Sequence, residues 1–384
     1  MAAEQFEFYA TTAKGMESLL AQELSQLGLQ SVKEGRGGVS FSGKLEAAYR
    51  ACLWSRVASR IFLPLKTFQA KTPEDLYEGS RQVNWRDHFT VEQTFCVDFT
   101  ATQSQISHSH YGALQVKDAI ADQFRAKLGS RPSVNTVKPD VRVHVYLNRD
   151  QATLSLDLSG GSLHRRGYRD ENAGVAAPMK ENLAAAILMQ AGWPKEEGHA
   201  FLDPMCGSGT LPIEAALMSA RIAPGLFRKD FGFLGWQGHV PALWKRLLQE
   251  ADEAQIRDKK KIPKIVGYDG NFRAVRLALE SLPKAGVHGK VHIEKRDFAQ
   301  CEMIAPAGVI LLNPPYGSRL GEQEALKPLY RSIGDTFKQK FRGWTGFVFT
   351  GSSELAKVIG LKASQRSVFF NGPIECRLLK YELY

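Results

Sequence analysis

From residue 200 onward the chain alternates short apolar runs with stretches of helical spacing, and that alternation narrows the folds open to it. The runs are Ala200–Asp203, Ile265–Asp269, Val291–Asp297, Val309–Asn313, Thr345–Thr350, Ser367–Phe370 and Cys376–Leu383. Parallel neighbours need a helical crossover, so strands separated by helices predict an α/β, doubly wound, mainly parallel sheet. The last two runs are joined only by Asn371-Gly372-Pro373. They predict an antiparallel hairpin at the sheet edge. A long helix rich in Ala and Leu over 177–191 precedes the sheet.

The front of the chain follows another pattern. Phe6–Ala10 alternates as a strand, Thr11-Thr12 caps a helix, and Gly28 stops it. Gly35 to Gly38 reads as a turn, Val39–Phe41 as a short strand, 44–54 as a helix and Arg60–Phe68 as a strand. A second unit then repeats the pattern: helix Leu76–Val83, strand Thr94–Phe99, helix Ser109–Leu128 and the hairpin Val141–Leu147/Ala152–Leu158. The composition changes after Gly160-Gly161. The expected organisation is therefore 1–65, 66–160 and 161–384, with an insert at 219–264 in the last. That insert holds Phe227, Phe231, Phe233, Trp236 and Trp244, then Lys259-Lys260-Lys261. Its aromatics are expected to pack inward.

Composition excludes several classes. No stretch of 18 apolar residues exists, and Lys14, Glu17 and Glu23 interrupt the first thirty residues, so neither a membrane helix nor a signal peptide is expected. A cytoplasmic chain with reduced thiols follows, because the five cysteines form no C-x-x-C pair. His108 and His110 lack further ligands at metal-site spacing, and no metal is expected. The net charge of +10 suggests a polyanionic partner. Residues 1–170 are nearly balanced, however, with 21 basic and 18 acidic side chains.

The sharpest motif is Asp203-Pro204-Met205-Cys206-Gly207-Ser208-Gly209-Thr210, between a strand and the helix beginning at Leu211. Glycines at such a turn let a ligand approach the backbone, and the helix N-terminus favours a carboxylate. Pro212 stands where a dinucleotide fingerprint wants Gly or Ala, and no Gly-Lys-Ser/Thr follows. The loop suits a ligand with a carboxylate and no pyrophosphate, and S-adenosylmethionine is one. Asp269, followed by Gly270 and Asn271, closes the next strand and can accept ribose hydroxyls. Asp297 closes the third and can accept from an adenine amine, with Phe298 to pack the ring. Any one of these acids alone reads as a turn residue; three at successive strand ends read as a cofactor crevice.

Asn313-Pro314-Pro315-Tyr316 follows the fourth strand. An exocyclic base amine is a poor nucleophile because its lone pair is delocalised into the ring. Acceptance of its two N–H groups by the Asn313 side-chain oxygen and the Pro314 carbonyl would aim the nitrogen, and Tyr316 offers a stacking face. A base in a duplex must first be flipped out.

These residues resemble the class I methyltransferase fold that modifies amino groups. Leu163-His164-Arg165-Arg166-Gly167-Tyr168-Arg169 and Ala176 to Ala184 are more specific. They resemble the THUMP-domain RNA guanine-N2 methyltransferases. The resemblance implies a seven-stranded Rossmann-like sheet behind ferredoxin-like and THUMP domains, with S-adenosyl-L-methionine as cofactor. It also implies that Met179, Lys180, Glu181 and Asn182 line the cofactor pocket beside Asp203, Gly207, Gly209, Asp269, Asp297 and Asn313. The implied substrate is N2 of a guanine in structured RNA, in large-subunit (23S) ribosomal RNA, with transfer RNA as the rival. DNA adenine and protein glutamine methyltransferases share the Asn-Pro-Pro-Tyr logic, and a catalytically dead RNA-binding protein is the non-enzymatic alternative. Read without the family, the cluster Arg165, Arg166 and Arg169 fits phosphate contact and a solvated linker equally.

Overall fold

The structure, a computed structural model, describes residues 5–169, 179–195, 198–317 and 320–384. It divides into two compact units. The first comprises Met1–Thr12, Leu20–Leu163 and Arg228–Leu248; the second comprises Ala13–Leu19, His164–Phe227 and Gln249–Tyr384.

In the first unit, β1 (Phe6–Thr11), α1 (Glu17–Gln26), β2 (Gln30–Gly35), β3 (Gly38–Gly43), α2 (Leu45–Trp54) and β4 (Arg60–Gln69) come first. They are followed by α3 (Pro73–Arg81), β5 (Thr94–Thr102), α4 (Ser109–Leu128), β6 (Ser133–Val134), β7 (Val141–Asn148) and β8 (Gln151–Asp157). The eight strands make one sheet, in the order β2-β3-β1-β4-β8-β7-β5-β6. β4 is the shared strand: its first residues pair with β1, and residues from Phe62 onward pair with β8. Ten residues of β4 thus serve both halves of the sheet. β2 is the one long strand of this sheet that the sequence does not announce. All its residues but Val32 are exposed, so no apolar alternation marks it.

In the second unit, α5 (Glu181–Gln190) precedes β9 (His199–Asp203) and α6 (Thr210–Ser219); α7 (Pro241–Glu253) follows in sequence, its residues up to Leu248 belonging to the first unit, and then β10 (Ile265–Asp269) and α8 (Phe272–Lys284) continue the second. Then come β11 (Val291–Lys295), β12 (Ala307–Leu312), α9 (Leu320–Lys340), β13 (Thr345–Thr350), α10 (Ser353–Val358), β14 (Gln365–Asn371) and β15 (Ile374–Glu382). Residues 177 and 178, where a helix start was expected, lie outside the described residues; the helix begins at Glu181. The seven strands are ordered β11-β10-β9-β12-β13-β15-β14. β9 to β13 are parallel, and the β14–β15 hairpin runs antiparallel at one edge. Val309 to Leu312 are all fully buried, as strands covered on both faces must be. On one face Leu202, Ile310 and Leu312 pack with Tyr330, Phe337 and Trp344.

The insert holds a single helix, α7, and short 3-10 turns. Phe231, Phe233, Trp236 and Trp244 are all buried, as expected. Their surroundings belong to the first unit, however: the Phe233 ring centroid lies 4.3 Å from that of Tyr49, and the Tyr49 hydroxyl is 2.6 Å from His239 Nδ1. Residues Arg228–Leu248 therefore contribute core to the first unit although they interrupt the sequence of the second.

Candidate active site

β9 and β12 are adjacent and parallel, with Leu202 opposite Ile310, and strand order reverses between them. Residues just beyond their carboxyl ends are therefore neighbours at the switch point of the sheet, where open α/β sheets bind ligands. A cleft of about 700 Å³ opens there. Met179, the loop from Asp203 to Ser208, and Thr210 line one part of it. Asp269, Gly270, Asn271, Asp297 and Phe298 line another, and Asn313 and Pro315 a third.

The glycine loop is shaped by its backbone. Gly207 and Gly209 have φ of +54° and +82°, which other residues rarely adopt. A Cβ at Gly209 would also lie 2.9 Å from that of Ala278 in α8. Gly209 thus lets the loop close on α8, and the Gly207 N–H donates to Asp269 Oδ2 at 2.8 Å. Asp269 Oδ1 accepts from the Asn271 N–H at 2.8 Å, and Asn271 in turn caps α8. Gly209 is the N-cap of α6, whose first turn has N–H groups with no intrahelical acceptor; Pro212 sits in that turn without harm, having none.

Asp203 is 1% exposed. Its Oδ1 accepts from the Met205 N–H at 3.1 Å. Burial holds its carboxyl well above the usual carboxylate range, the Met205 bond opposes that, and the nearby Asp269 charge adds to it. No cationic side chain pairs with it among the described residues. Cys206 is buried, and burial with the two acids pushes its thiol well up, which makes it an inert wall.

Asp297 departs from expectation in detail. β11 ends at Lys295, and Asp297 stands two residues beyond as the cap of the single turn Phe298–Gln300, accepting from the Ala299 N–H at 2.9 Å. It still borders the cleft, with the buried Phe298 beside it.

Asn313 carries the most informative atom in the site. Its Oδ1 is buried, and no donor among the described residues reaches it. Buried polar atoms are nearly always paired, so this acceptor at the cleft wall is open to a donor, from solvent or from a ligand. Pro314 is buried behind it.

Other expected residues lie elsewhere. Tyr316 does not line the cleft: its hydroxyl accepts from Asn371 Nδ2 at 3.0 Å, and a Cβ on Gly351 would touch its ring at 3.0 Å. It ties the tetrapeptide to the β14–β15 hairpin, and its side chain is half-buried. Lys180 is exposed at the start of α5, and Glu181 and Asn182 are buried in its first turn behind Met179.

The arginine cluster is divided by burial. Arg166 is 1% exposed and grips Glu214 of α6 with two hydrogen bonds, at 2.8 and 3.1 Å. Tyr168 donates to the same carboxylate at 3.0 Å. Arg166 can neither contact a phosphate nor serve as a solvated linker residue, and both of those expectations are corrected: the residue is a buried brace. Arg169 also points inward. It donates to the Met179 carbonyl at 3.2 Å and to the Thr210 hydroxyl, and lies 3.7 Å from Glu181. Arg165 alone of the three is exposed.

Met205, Ser208 and Pro315, which stand inside the two motifs but were given no role there, complete the cleft with Leu211, Ala274 and Leu329, which the sequence did not single out. Ser208 and Leu211 could have been found as neighbours of the glycine loop. Leu329 comes from the middle of α9 and has no local signal.

Residues 166–380 match a family model described as the RMKL-like methyltransferase domain. Residues 70–157 match the THUMP domain, and 7–62 the RlmL ferredoxin-like domain. The chain is 50% identical over 379 residues to the ribosomal RNA large subunit methyltransferase K/L of Methylococcus capsulatus, covering 98% of this chain and 51% of that protein. It spans about half the length of the curated relatives it matches. Among solved structures, SMU.472, crystallised in complex with SAH, is 31% identical with a TM-score of 0.89 over 99% of both chains. A Listeria monocytogenes protein described as a predicted N6-adenine-specific DNA methylase is also 31% identical, with a TM-score of 0.87 over 99% of this chain and 97% of that one.

Proposed function

Because the chain belongs to the RMKL-like methyltransferase domain family, we propose that it methylates the exocyclic N2 amine of a guanine in large-subunit ribosomal RNA, using S-adenosylmethionine. The observation that carries the reading is the unpaired, buried Asn313 Oδ1 in the same cleft as the glycine loop. The THUMP match and the name of the Methylococcus relative favour RNA as substrate.

The residues fit the cofactor. The first turn of α6 and the loop before it meet a carboxylate, and buried Asp203 meets an ammonium. Asp269 meets the ribose hydroxyls through lone pairs not used by Gly207 and Asn271, and Asp297 and Phe298 meet the adenine. When bound, S-adenosylmethionine supplies an electrophilic sulfonium methyl. Asn313 Oδ1 accepts one N–H of the guanine amine and the Pro314 carbonyl the other, which turns the nitrogen lone pair toward the methyl. Proline restricts the backbone at 314 and 315, so that the acceptors are set before the base arrives. The amine gains acidity as the new N–C bond forms, and its proton passes to water through the accepting oxygens; no strong base is required. Tyr316 holds the tetrapeptide against Asn371 of the hairpin, so its part is positioning.

The test is incubation of the protein with methyl-labelled S-adenosylmethionine and deproteinised, unmodified ribosomal RNA, followed by digestion to nucleosides. Label in N2-methylguanosine is expected. Label in N6-methyladenosine would move the chain to adenine chemistry, and no label in any RNA would end the RNA reading.

A further inference from the structure

The chain's excess of positive charge is concentrated in one place. Residues 255–296 contain 11 basic and 4 acidic side chains, an excess of seven out of the whole chain's ten. The rest of the back half, from residue 171 on, is balanced at 18 against 18. This segment builds one flank of the second unit: β10, α8 and β11, with β11 the outermost strand of the sheet.

The parallel register of β10 and β11 sorts these charges by position. Lys264 and Lys290 precede the paired residues Ile265 and Val291, so they stand together at one end of the flank. Lys259, Lys260 and Lys261 are exposed there, and Lys259 reaches Gly289 in the turn before β11. None of these three lysines forms an ion pair among the described residues. At the other end Lys295 is opposite Asp269, where the cleft begins. α8 joins the two ends: Asn271 and Ala274 line the cleft, and Lys284 closes the helix 13 residues on. At 1.5 Å per residue the track is about 20 Å long.

The outer face of α8 is also apolar in an unusual way. Phe272 is 67% exposed and Leu279 45% exposed, with Arg276 between them at helical spacing. An exposed aromatic interleaved with arginine gives a base a stacking face while cations take its phosphates. A basic flank alone would fit any polyanion. Its continuity with the cleft mouth and its exposed aromatic favour an unpaired nucleic-acid strand leading into the site.

We propose that the β10–α8–β11 flank is a backbone track for the substrate RNA, running from the lysine run 259–261 along α8 to the cleft. The proposal rests on the RNA reading above. It assigns to the second unit an RNA contact separate from the THUMP domain, and it gives the lysine run a role.

The test compares wild type with K259A/K260A/K261A, with R276A, and with a control triple that removes equal charge elsewhere in the same unit, K338A/K357A/K362A. Binding to deproteinised large-subunit ribosomal RNA is measured by filter retention across a salt series, with methyl transfer and calorimetric cofactor binding alongside. Each lost phosphate contact lowers the slope of log affinity against log salt by about 0.7–0.9. The 259–261 triple is expected to lose about two units of slope and to raise KM for RNA at least tenfold. R276A should lose under one. Cofactor affinity and kcat at saturating RNA should stay as in wild type, and the control should change little. Unchanged slope and KM in the 259–261 triple, or an equal loss in the control, would overturn the track while leaving the methyltransferase reading intact. A wild-type protein that neither binds nor methylates this RNA would overturn both.

Discussion

Arg169 is held by three groups at once: the Met179 carbonyl, the Thr210 hydroxyl and the Glu181 carboxylate. Two of these anchors, Met179 and Thr210, line the cleft. Removing the guanidinium leaves buried acceptors unpaired, at about 1–3 kcal/mol each. Arg169→Ala should therefore weaken cofactor binding tenfold or more with a smaller change in kcat, and Arg169→Lys should recover part of the affinity; titration calorimetry of both variants checks this. Arg166 acts differently, through stability. Its pair with Glu214 is fully buried, so Arg166→Met leaves an uncompensated carboxylate and should cost about 3–5 kcal/mol in denaturant unfolding. Adding Glu214→Leu should restore most of the loss. Asp203 gives a pH signature. Its carboxyl is raised in the folded chain, so the folded state keeps a proton that the unfolded chain has released. That contribution to stability is fully present below the unfolded value of about 4 and is lost as pH rises toward the folded one. Asp203→Asn should consequently raise the melting temperature of the cofactor-free protein at pH 8, bring no gain at pH 4, and abolish cofactor binding. At this scale the sequence was informative about Asp203, Asp269 and Asn313, whose strand-end positions follow from apolar runs. It was misleading about Arg166, because a buried partner 48 residues away leaves no local trace.

Elements that bury a face were legible in the sequence, as a helical period or as a continuous apolar run, and those that bury none were not. α4, β10 and β13 begin and end where the spacing predicts, at Ser109–Leu128, Ile265–Asp269 and Thr345–Thr350. β2 escaped because an exposed edge strand has no buried face to set a period. The insert shows a further limit: its aromatics announce burial but not what they are buried against. Phe233 is fully buried beside Tyr49, Trp244 and His239 in the first unit. Phe233→Ala should destabilise that unit by about 3–5 kcal/mol while cofactor affinity, which belongs to the second unit, stays unchanged. Thermal unfolding read alongside cofactor titration separates the two. For the same reason, deletion of residues 1–160 would strip four buried aromatics of their surroundings, and point substitutions are the sounder probe of the front unit.

At the scale of the whole molecule, the glycine loop and the Asn313–Tyr316 tetrapeptide meet because β9 and β12 lie side by side where the strand order reverses. That juxtaposition follows from doubly wound topology, which the alternation of runs and helices made legible. Which RNA enters is a matter of surface, and surfaces leave weaker marks in sequence: the charge on β10, α8 and β11 becomes a stripe only once the strands are paired. The central claim is that Asn313 aims a guanine amine at the methyl donor in the cleft that the glycine loop shapes. Single-turnover transfer to deproteinised ribosomal RNA, with wild type and Asn313→Ala side by side at saturating cofactor, tests it most directly. Wild type is expected to yield N2-methylguanosine, and the variant to react at least a hundredfold more slowly with cofactor affinity unchanged. A variant as fast as wild type, or one slow only because it no longer binds the cofactor, would contradict it.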